Sequence, residues 1–314
     1  MSLAPVLLLV YNRPETTKTL VNCLLAQPNI DQFEIYVFSD GPKSESDVEK
    51  ILEVRHIIQG LHICKNLSKH YSEINIGLSE SVIKGINTVF ESHEKIIVLE
   101  DDLEISSFFF NYMNYYLSYY ETFERVGTIQ GFQFPIKVNW EEPVFLDEFV
   151  NCWGWGTWKN RWIHFEPNGR KLLSELNERN LTYEFNGKNS YPFMILLEDQ
   201  VNGRVNSWAI RWYASMFLKG YVHLYTNKSL VVNNGLDGNG THGEKKWFVQ
   251  TLNKDEFQLL TPEPIVNLKA RKAVIKYRKQ IRFELKLSNL KKRFLINILR
   301  PILKALRLNG QDSI

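Results

Sequence analysis

Cysteine is scarce in this chain: Cys23, Cys64 and Cys152 are the only three, and none stands in a C-x-x-C pair. An odd number of widely spaced cysteines excludes a complete disulfide framework and a thiolate zinc site, and points to a reducing cytoplasm. Long apolar runs are also missing. No stretch approaches the ~20 residues that a membrane-spanning helix needs. Met1-Ser2-Leu3-Ala4-Pro5 runs straight into an apolar segment with no basic region and no cleavage-site pattern, so no signal peptide is expected. The sequons at Asn66, Asn180, Asn227 and Asn239 are therefore expected never to meet a glycosylating enzyme. No internal repeat is found, and nothing reads as a nucleic-acid recognition motif.

Acidic residues are nearly absent from one region. From Lys269 to the end there are two, Glu284 and Asp312, against 14 Lys and Arg. The first 268 residues hold the remaining 33 acids and 24 bases, so the body carries −9 and the tail +12, giving the net +3. The two regions differ enough to be read as separate units, a body over 1–264 and a basic tail over 265–314.

What is present is ordinary globular material: 314 residues, 44% hydrophobic and 23% charged, enough for a large core. Pro5 to Tyr11 is a short continuous apolar run, the mark of a strand buried on both faces. Asn12-Arg13-Pro14 breaks it, and Pro14 suits the first turn of a helix running to Leu25. A second strand, Phe33 to Phe38, ends at Ser39-Asp40-Gly41-Pro42, and a helix follows from about Ser46 to Gln59. Ser79 is a plausible N-cap for a helix over Ser81 to Phe90. The strand from Lys95 to Leu99 ends directly in Glu100-Asp101-Asp102. Strands alternating with helices at this spacing predict a parallel, Rossmann-like α/β sheet. Ligands of such sheets bind beyond the carboxyl ends of the strands. That rule gathers three polar strand ends, Asn12-Arg13, Ser39-Asp40 and Glu100-Asp101-Asp102, around one crevice.

The acidic triplet is the strongest chemical signal. Adjacent carboxylates repel one another, and a divalent cation removes that cost. Hard carboxylate oxygens suit Mg²⁺ or Mn²⁺, which in turn bridge phosphate oxygens. A bare D-x-D-like triplet is more often a solvated turn. Here a hydrophobic strand precedes it and two other polar strand ends accompany it.

Val98-Leu99-Glu100-Asp101-Asp102-Leu103-Glu104-Ile105, followed by Phe109-Phe110-Asn111-Tyr112, resembles the metal-binding segment of eukaryotic N-acetylglucosaminyltransferase I. Asn12-Arg13 is similar to that family's donor-phosphate loop, and Ser39-Asp40 to its nucleotide position. Gly240-Thr241-His242-Gly243 resembles its donor-covering loop. The set also looks like bacterial surface-polysaccharide glycosyltransferases with a Ser-Trp-Ala-x-x-Trp segment and an Asp-Gly-x-Gly-Thr-His loop. The resemblance covers about residues 5 to 245 and implies a GT-A fold, nucleotide-sugar half about 1–125, acceptor half about 126–264. It implies transfer, with inversion, from a UDP-sugar to a glycan or lipid-linked acceptor in surface polysaccharide biosynthesis. It further implies that Asp102 ligates the metal, Asp101 contacts ribose or metal-bound water, and Glu100 holds donor hydroxyls. Arg13 would pair with the diphosphate through its guanidinium fork. Asn12 and Asp40 would complete the donor site, and His242 would ligate the metal or close on the phosphates.

An inverting transferase needs a base for the acceptor hydroxyl. The family's Asp between two Trp residues has no counterpart in Ser207-Trp208-Ala209-Ile210-Arg211-Trp212. Glu198-Asp199 is the nearest acidic pair, so Asp199 is the first candidate and Asp237 the second. That missing acid keeps open a non-catalytic carbohydrate-binding protein of the same fold, and the metal logic also suits a sugar-phosphate nucleotidyltransferase. Trp153, Trp155, Trp158, Trp162, Trp208 and Trp212 read mostly as core, with the pairs Trp158/Trp162 and Trp208/Trp212 each on a helix face. In the tail, apolar residues recur at helical spacing among the bases. That pattern reads as an amphipathic helix on an anionic membrane, placing the protein peripherally on the cytoplasmic face.

Overall fold

The structure is a computed structural model that describes residues 2–136, 142–235 and 250–294, the last ten of these by backbone alone. Its frame is an eight-stranded sheet built from β1 (Val6–Val10), β2 (Glu34–Ser39), β3 (Asn66–Tyr71), β4 (Lys95–Glu100), β6 (Val126–Gln130), β7 (Val144–Asp147), β8 (Trp155–Trp158) and β9 (Val222–Thr226). The strand order is β3-β2-β1-β4-β8-β6-β9-β7, and a separate two-stranded ribbon pairs β5 (Leu103–Ile105) with β10 (Val231–Asn233). All neighbours are parallel except at β8 and at the edge strand β7. The expected α/β class with a mostly parallel sheet is therefore what is found. One sheet runs through both halves of the body, because β8 from the second half inserts beside β4 from the first.

The helices are α1 (Pro14–Leu25), α2 (Glu45–Ile58), α3 (Leu78–Val89), α4 (Phe109–Tyr119), α5 (Lys159–Trp162), α6 (Gly169–Glu178), α7 (Thr182–Phe185), α8 (Phe193–Val201), α9 (Trp208–Leu218) and α10 (Leu268–Phe294). α1 begins with Pro14 in its first turn, where a missing N–H costs nothing. α2 opens on a capping box: the Ser44 side chain meets the Asp47 amide, and the Asp47 carboxylate accepts from the Ser44 N–H. α3 departs from expectation. Its N-cap is Gly77, at φ +82°, and Ser79 lies buried inside the first turn, accepting a 2.6 Å hydrogen bond from Arg211. The chain's entry into α3 is fixed from outside instead, by Asp40 accepting from the Ile76 and Gly77 amides at 2.9 and 2.8 Å.

The tryptophans fill the core. Trp155, Trp162, Trp208 and Trp212 cluster with Leu7, Leu9, Val98 and Met216 on one side of the sheet. Trp158 packs with the aromatic helix α4 on the other side, its indole N–H donating to the Leu117 carbonyl at 2.9 Å. Residues three apart on a strand point to opposite faces, so Trp155 and Trp158 serve two layers. Trp158 therefore shares no helix face with Trp162, whereas Trp208 and Trp212 do share one on α9.

The first turns of the basic tail are docked on the body. Asn267 caps α10, accepting from the Ala270 amide at 3.0 Å, while its own N–H donates to the Leu146 carbonyl on β7. Ala270 packs with Phe145 and Tyr225, and Val274 with Phe149, Leu172 and Tyr213.

Candidate active site at the strand ends

β1 and β4 are parallel neighbours, with Leu9 beside Glu100, so both chains leave the sheet at the same edge. Beyond that edge the chain after β1 folds over the chain after β4. The Tyr11 backbone N–H donates to Asp101 Oδ2 at 2.8 Å, and Arg13 Nη1 pairs with Asp102 Oδ2 at 2.8 Å. Two of the three expected polar strand ends are thus in direct contact.

The loop that carries Arg13 is held from α2. Asp47 Oδ1 accepts from Asn12 Nδ2 at 2.7 Å, and Asp47 Oδ2 accepts from the Tyr11 hydroxyl at 3.1 Å and from Ser44. The hydrogen bonds from Asn12 and then Ser44 hold the Asp47 carboxyl down at about 2, so it is ionised throughout the neutral range. Asn12, expected to touch the donor, spends its side-chain amide on this tether. Asp47 itself escaped the sequence reading, although Ser44-x-x-Asp47 carries a capping-box spacing.

The acidic run has more negative charge than Arg13 offsets. Burial, then the neighbouring charges of Asp102 and Asp101, push the half-buried Glu100 carboxyl up to about 8, with Arg13 pulling the other way. Burial and Asp102 raise Asp101 to about 7, against the Tyr11 N–H and Arg13. A cation beside these groups would lower both. Among the described residues no cluster of three His, Cys, Asp or Glu side chains is arranged to hold a metal ion. Mg²⁺-type ions are instead commonly bound through one or two carboxylates plus substrate phosphates, and Asp102 with its acidic neighbours fits that donor set.

A second segment closes on the same place. β10 runs antiparallel to β5, with Asn233 opposite Leu103, and the Asn234 N–H donates to the Asp102 carbonyl at 2.7 Å. Gly235 follows. A Cβ added there would sit 2.0 Å from Asp102 Oδ2 and 2.8 Å from Arg13 Nη1, so only glycine fits without displacement. Gln250 returns to this point, its side-chain amide bonded both ways to the Asn233 backbone at 2.7 and 2.8 Å. The two ends of the intervening chain are thus fixed beside the acidic run. Asp237 and His242 belong to that chain and lie outside the described residues.

Asp40 ends β2, the next strand over, but its carboxylate accepts three backbone N–H groups, from Gly41, Ile76 and Gly77. It fixes the start of α3. Asp199 sits at the last turn of α8 in a 2.5 Å ion pair with Arg204, and no described contact joins it to the acidic run. Cys152, not singled out from sequence, is close enough for the Glu100 charge to raise its thiol beyond what burial does.

No protein-family model matches the chain, and no curated protein matches it. Solved structures do. GalNAc-T7 with UDP, GalNAc and Mn²⁺ is 11% identical over 52% of this chain and 37% of that one, with a TM-score of 0.38. S. aureus TarS 1–349 is 12% identical over 74% and 61%, with a TM-score of 0.41. The mannosyltransferase PcManGT from Pyrobaculum calidifontis, in complex with GDP-Man and Mn²⁺, is 10% identical over 69% and 75%, with a TM-score of 0.37. This chain thus spans 37% and 61% of the first two.

Proposed function

We propose that the chain is a metal-dependent glycosyltransferase of the GT-A type, moving a sugar from a nucleotide-sugar, a UDP-sugar by its sequence motifs, to a hydroxyl of a glycan or lipid-linked acceptor. The carrying observation is the meeting of Arg13 and Asp102 at the shared end of two parallel strands, beside two carboxyls raised by burial and mutual repulsion. A strand-end cluster of one guanidinium and three carboxyl groups has the parts for a diphosphate and its counter-ion. A lone acidic turn has neither a buried strand end nor an opposing Arg.

In this reading Asp102 holds Mn²⁺ or Mg²⁺, which when bound offsets the charge that develops on the departing nucleoside diphosphate. Arg13 supplies the protein's own share of that stabilisation, donating its fork of N–H groups to phosphate oxygens. Asp47 keeps the Asn12-Arg13 loop in place through Asn12 and Tyr11, so the guanidinium is aimed before the donor arrives. Asp101, held by the Tyr11 N–H, would meet the ribose or metal-bound water, and Glu100 would offer a carboxyl to donor hydroxyls. Inversion requires a base on the acceptor side. Asp199 would first have to release Arg204, so Asp237, two residues beyond Gly235, takes precedence.

Product analysis tests the reaction class. Incubation with UDP-sugars and Mn²⁺ should release UDP, and release of pyrophosphate from a sugar phosphate and UTP would replace this reading by nucleotidyl transfer.

A further inference from the structure

α10 has two faces with different fates. At about 100° per residue, Arg271, Val274, Arg278 and Ile281 share one side of the helix. All four are buried against the body. Arg271 Nη1 pairs with Glu148 at 2.5 Å, the Arg278 guanidinium lies 3.9 Å over the Phe149 ring, and Arg282 Nη1 donates to the Asn189 carbonyl at 3.2 Å. These contacts fix the rotation of the helix about its own axis.

Lys272, Lys276, Lys279 and Phe283 fall on the far side, roughly 150° around the helix from the docked face. All are exposed, Phe283 at 63%, and Leu268 near the helix start is exposed at 67%. Lysines at i, i+4 and i+3 spacing repel one another and gain nothing from the docked side. α10 as a whole carries 11 Lys and Arg against the single acid Glu284. The outer face is therefore cationic, with exposed apolar side chains at Leu268 and Phe283.

We propose that this outer face of α10 lies on an anionic lipid bilayer, its lysines among the lipid phosphates and the Phe283 end inserted between headgroups. Charge complementarity selects an anionic surface. The exposed Leu268 and Phe283 beside the lysines select lipid over nucleic acid, whose phosphate backbone would leave Phe283 in water. No described helix is long and apolar enough to cross a membrane, so α10 rests on the surface. The proposal is independent of the reading of the strand-end site. If that site transfers sugar, the docking brings it to lipid-linked acceptors.

The test is co-sedimentation of the full chain with phosphatidylcholine vesicles, with and without one quarter phosphatidylglycerol. The chain should pellet with the anionic vesicles at about 0.1 M salt, be released at about 0.5 M, and ignore neutral vesicles. The triple variant Lys272→Glu, Lys276→Glu, Lys279→Glu should bind anionic vesicles at least roughly a hundredfold more weakly, and Phe283→Ser about tenfold more weakly. Both changes are at exposed positions, so melting temperatures should match the parent's. If the triple variant fails to fold, Lys276→Glu alone should still weaken binding about fivefold. The proposal is overturned if the parent fails to pellet, pellets equally with neutral vesicles, binds duplex DNA more tightly than anionic vesicles in the same salt, or is unaffected by the folded variants.

Discussion

Gly235→Ala tests whether the contact between the β10 end and the acidic run matters for donor binding. The added Cβ would lie 2.0 Å from Asp102 Oδ2, and real Cβ atoms essentially never come within 3.0 Å of another heavy atom. Something must move by at least 3.0 − 2.0 = 1.0 Å. The Asp102 carboxylate and the Arg13 guanidinium, 2.8 Å from the same Cβ, are the groups in the way. Gly235 is not among the glycines with positive φ, so the alanine brings no backbone strain of its own. A shift of that size in groups that grip a reacting phosphate costs on the order of a hundredfold in turnover. The fold should be spared, because the crowded atoms are the ends of the partly exposed Asp102 and Arg13 side chains and not members of the buried cores. The assay is calorimetric titration of UDP with Mn²⁺, paired with a thermal melt. Unchanged UDP affinity and turnover in a folded Gly235→Ala protein would refute the proposed closeness of Gly235 to a working Arg13–Asp102 pair.

Three further outcomes follow from particular contacts. Asp47→Ala frees Asn12 and the Tyr11 hydroxyl and should weaken UDP–Mn²⁺ binding roughly tenfold, as loss of a supporting hydrogen-bond partner usually does; Asp47→Glu should recover part of it, and equal binding by Asp47→Ala would remove the tether from the account. Asp237→Asn should lower turnover more than about a hundredfold with donor affinity kept, while Asp199→Asn, which loses only a surface pair with Arg204, should stay within about threefold; the reverse pattern would make Asp199 the base. His223 is fully buried beside Thr128, and burial holds its imidazole down at about 3. Its folded value lies below the unfolded value of about 6.5, so it contributes stability that is present above pH ~6.5 and is lost as pH falls toward ~3. Urea titrations should show His223→Gln flattening that acid loss, and an unaltered slope would mean that His223 protonates without cost.

The site's two principal strands were legible because both are central. β1 reads as a continuous apolar run, buried at every position, and β4 ends such a run directly in Glu100-Asp101-Asp102. The edge strand β3 was not legible: Asn-Leu-Ser-Lys-His-Tyr faces solvent over much of its length and shows no apolar face. β8 was hidden by its tryptophans, which suggest a helix until the sheet shows them serving opposite faces. Ser79 illustrates a different failure. Its local spacing is that of an N-cap, yet Asp40, 39 residues earlier, already ties down the preceding amides, which leaves Ser79 free to meet Arg211. Likewise the basic tail looks uniformly amphipathic in sequence, but Arg271 and Arg278 turn inward to Glu148 and Phe149, pairings set by β7 and the chain after it. Asp47 reaches Tyr11 and Asn12, and Gly235 reaches Asp102 and Arg13, across long stretches of sequence, and the local capping-box spacing marks only the Ser44 partner of Asp47.

The most direct test of the central claim is titration of UDP into the protein with and without Mn²⁺, repeated on Asp102→Asn. The account predicts that Mn²⁺ strengthens UDP binding to the parent by at least about tenfold, and that Asp102→Asn, with an unchanged melting profile in the absence of ligand, abolishes that metal-dependent gain. Equal, metal-independent UDP binding by the parent and Asp102→Asn, or no UDP binding by either, would contradict the assignment of a metal–diphosphate site to the ends of β1 and β4.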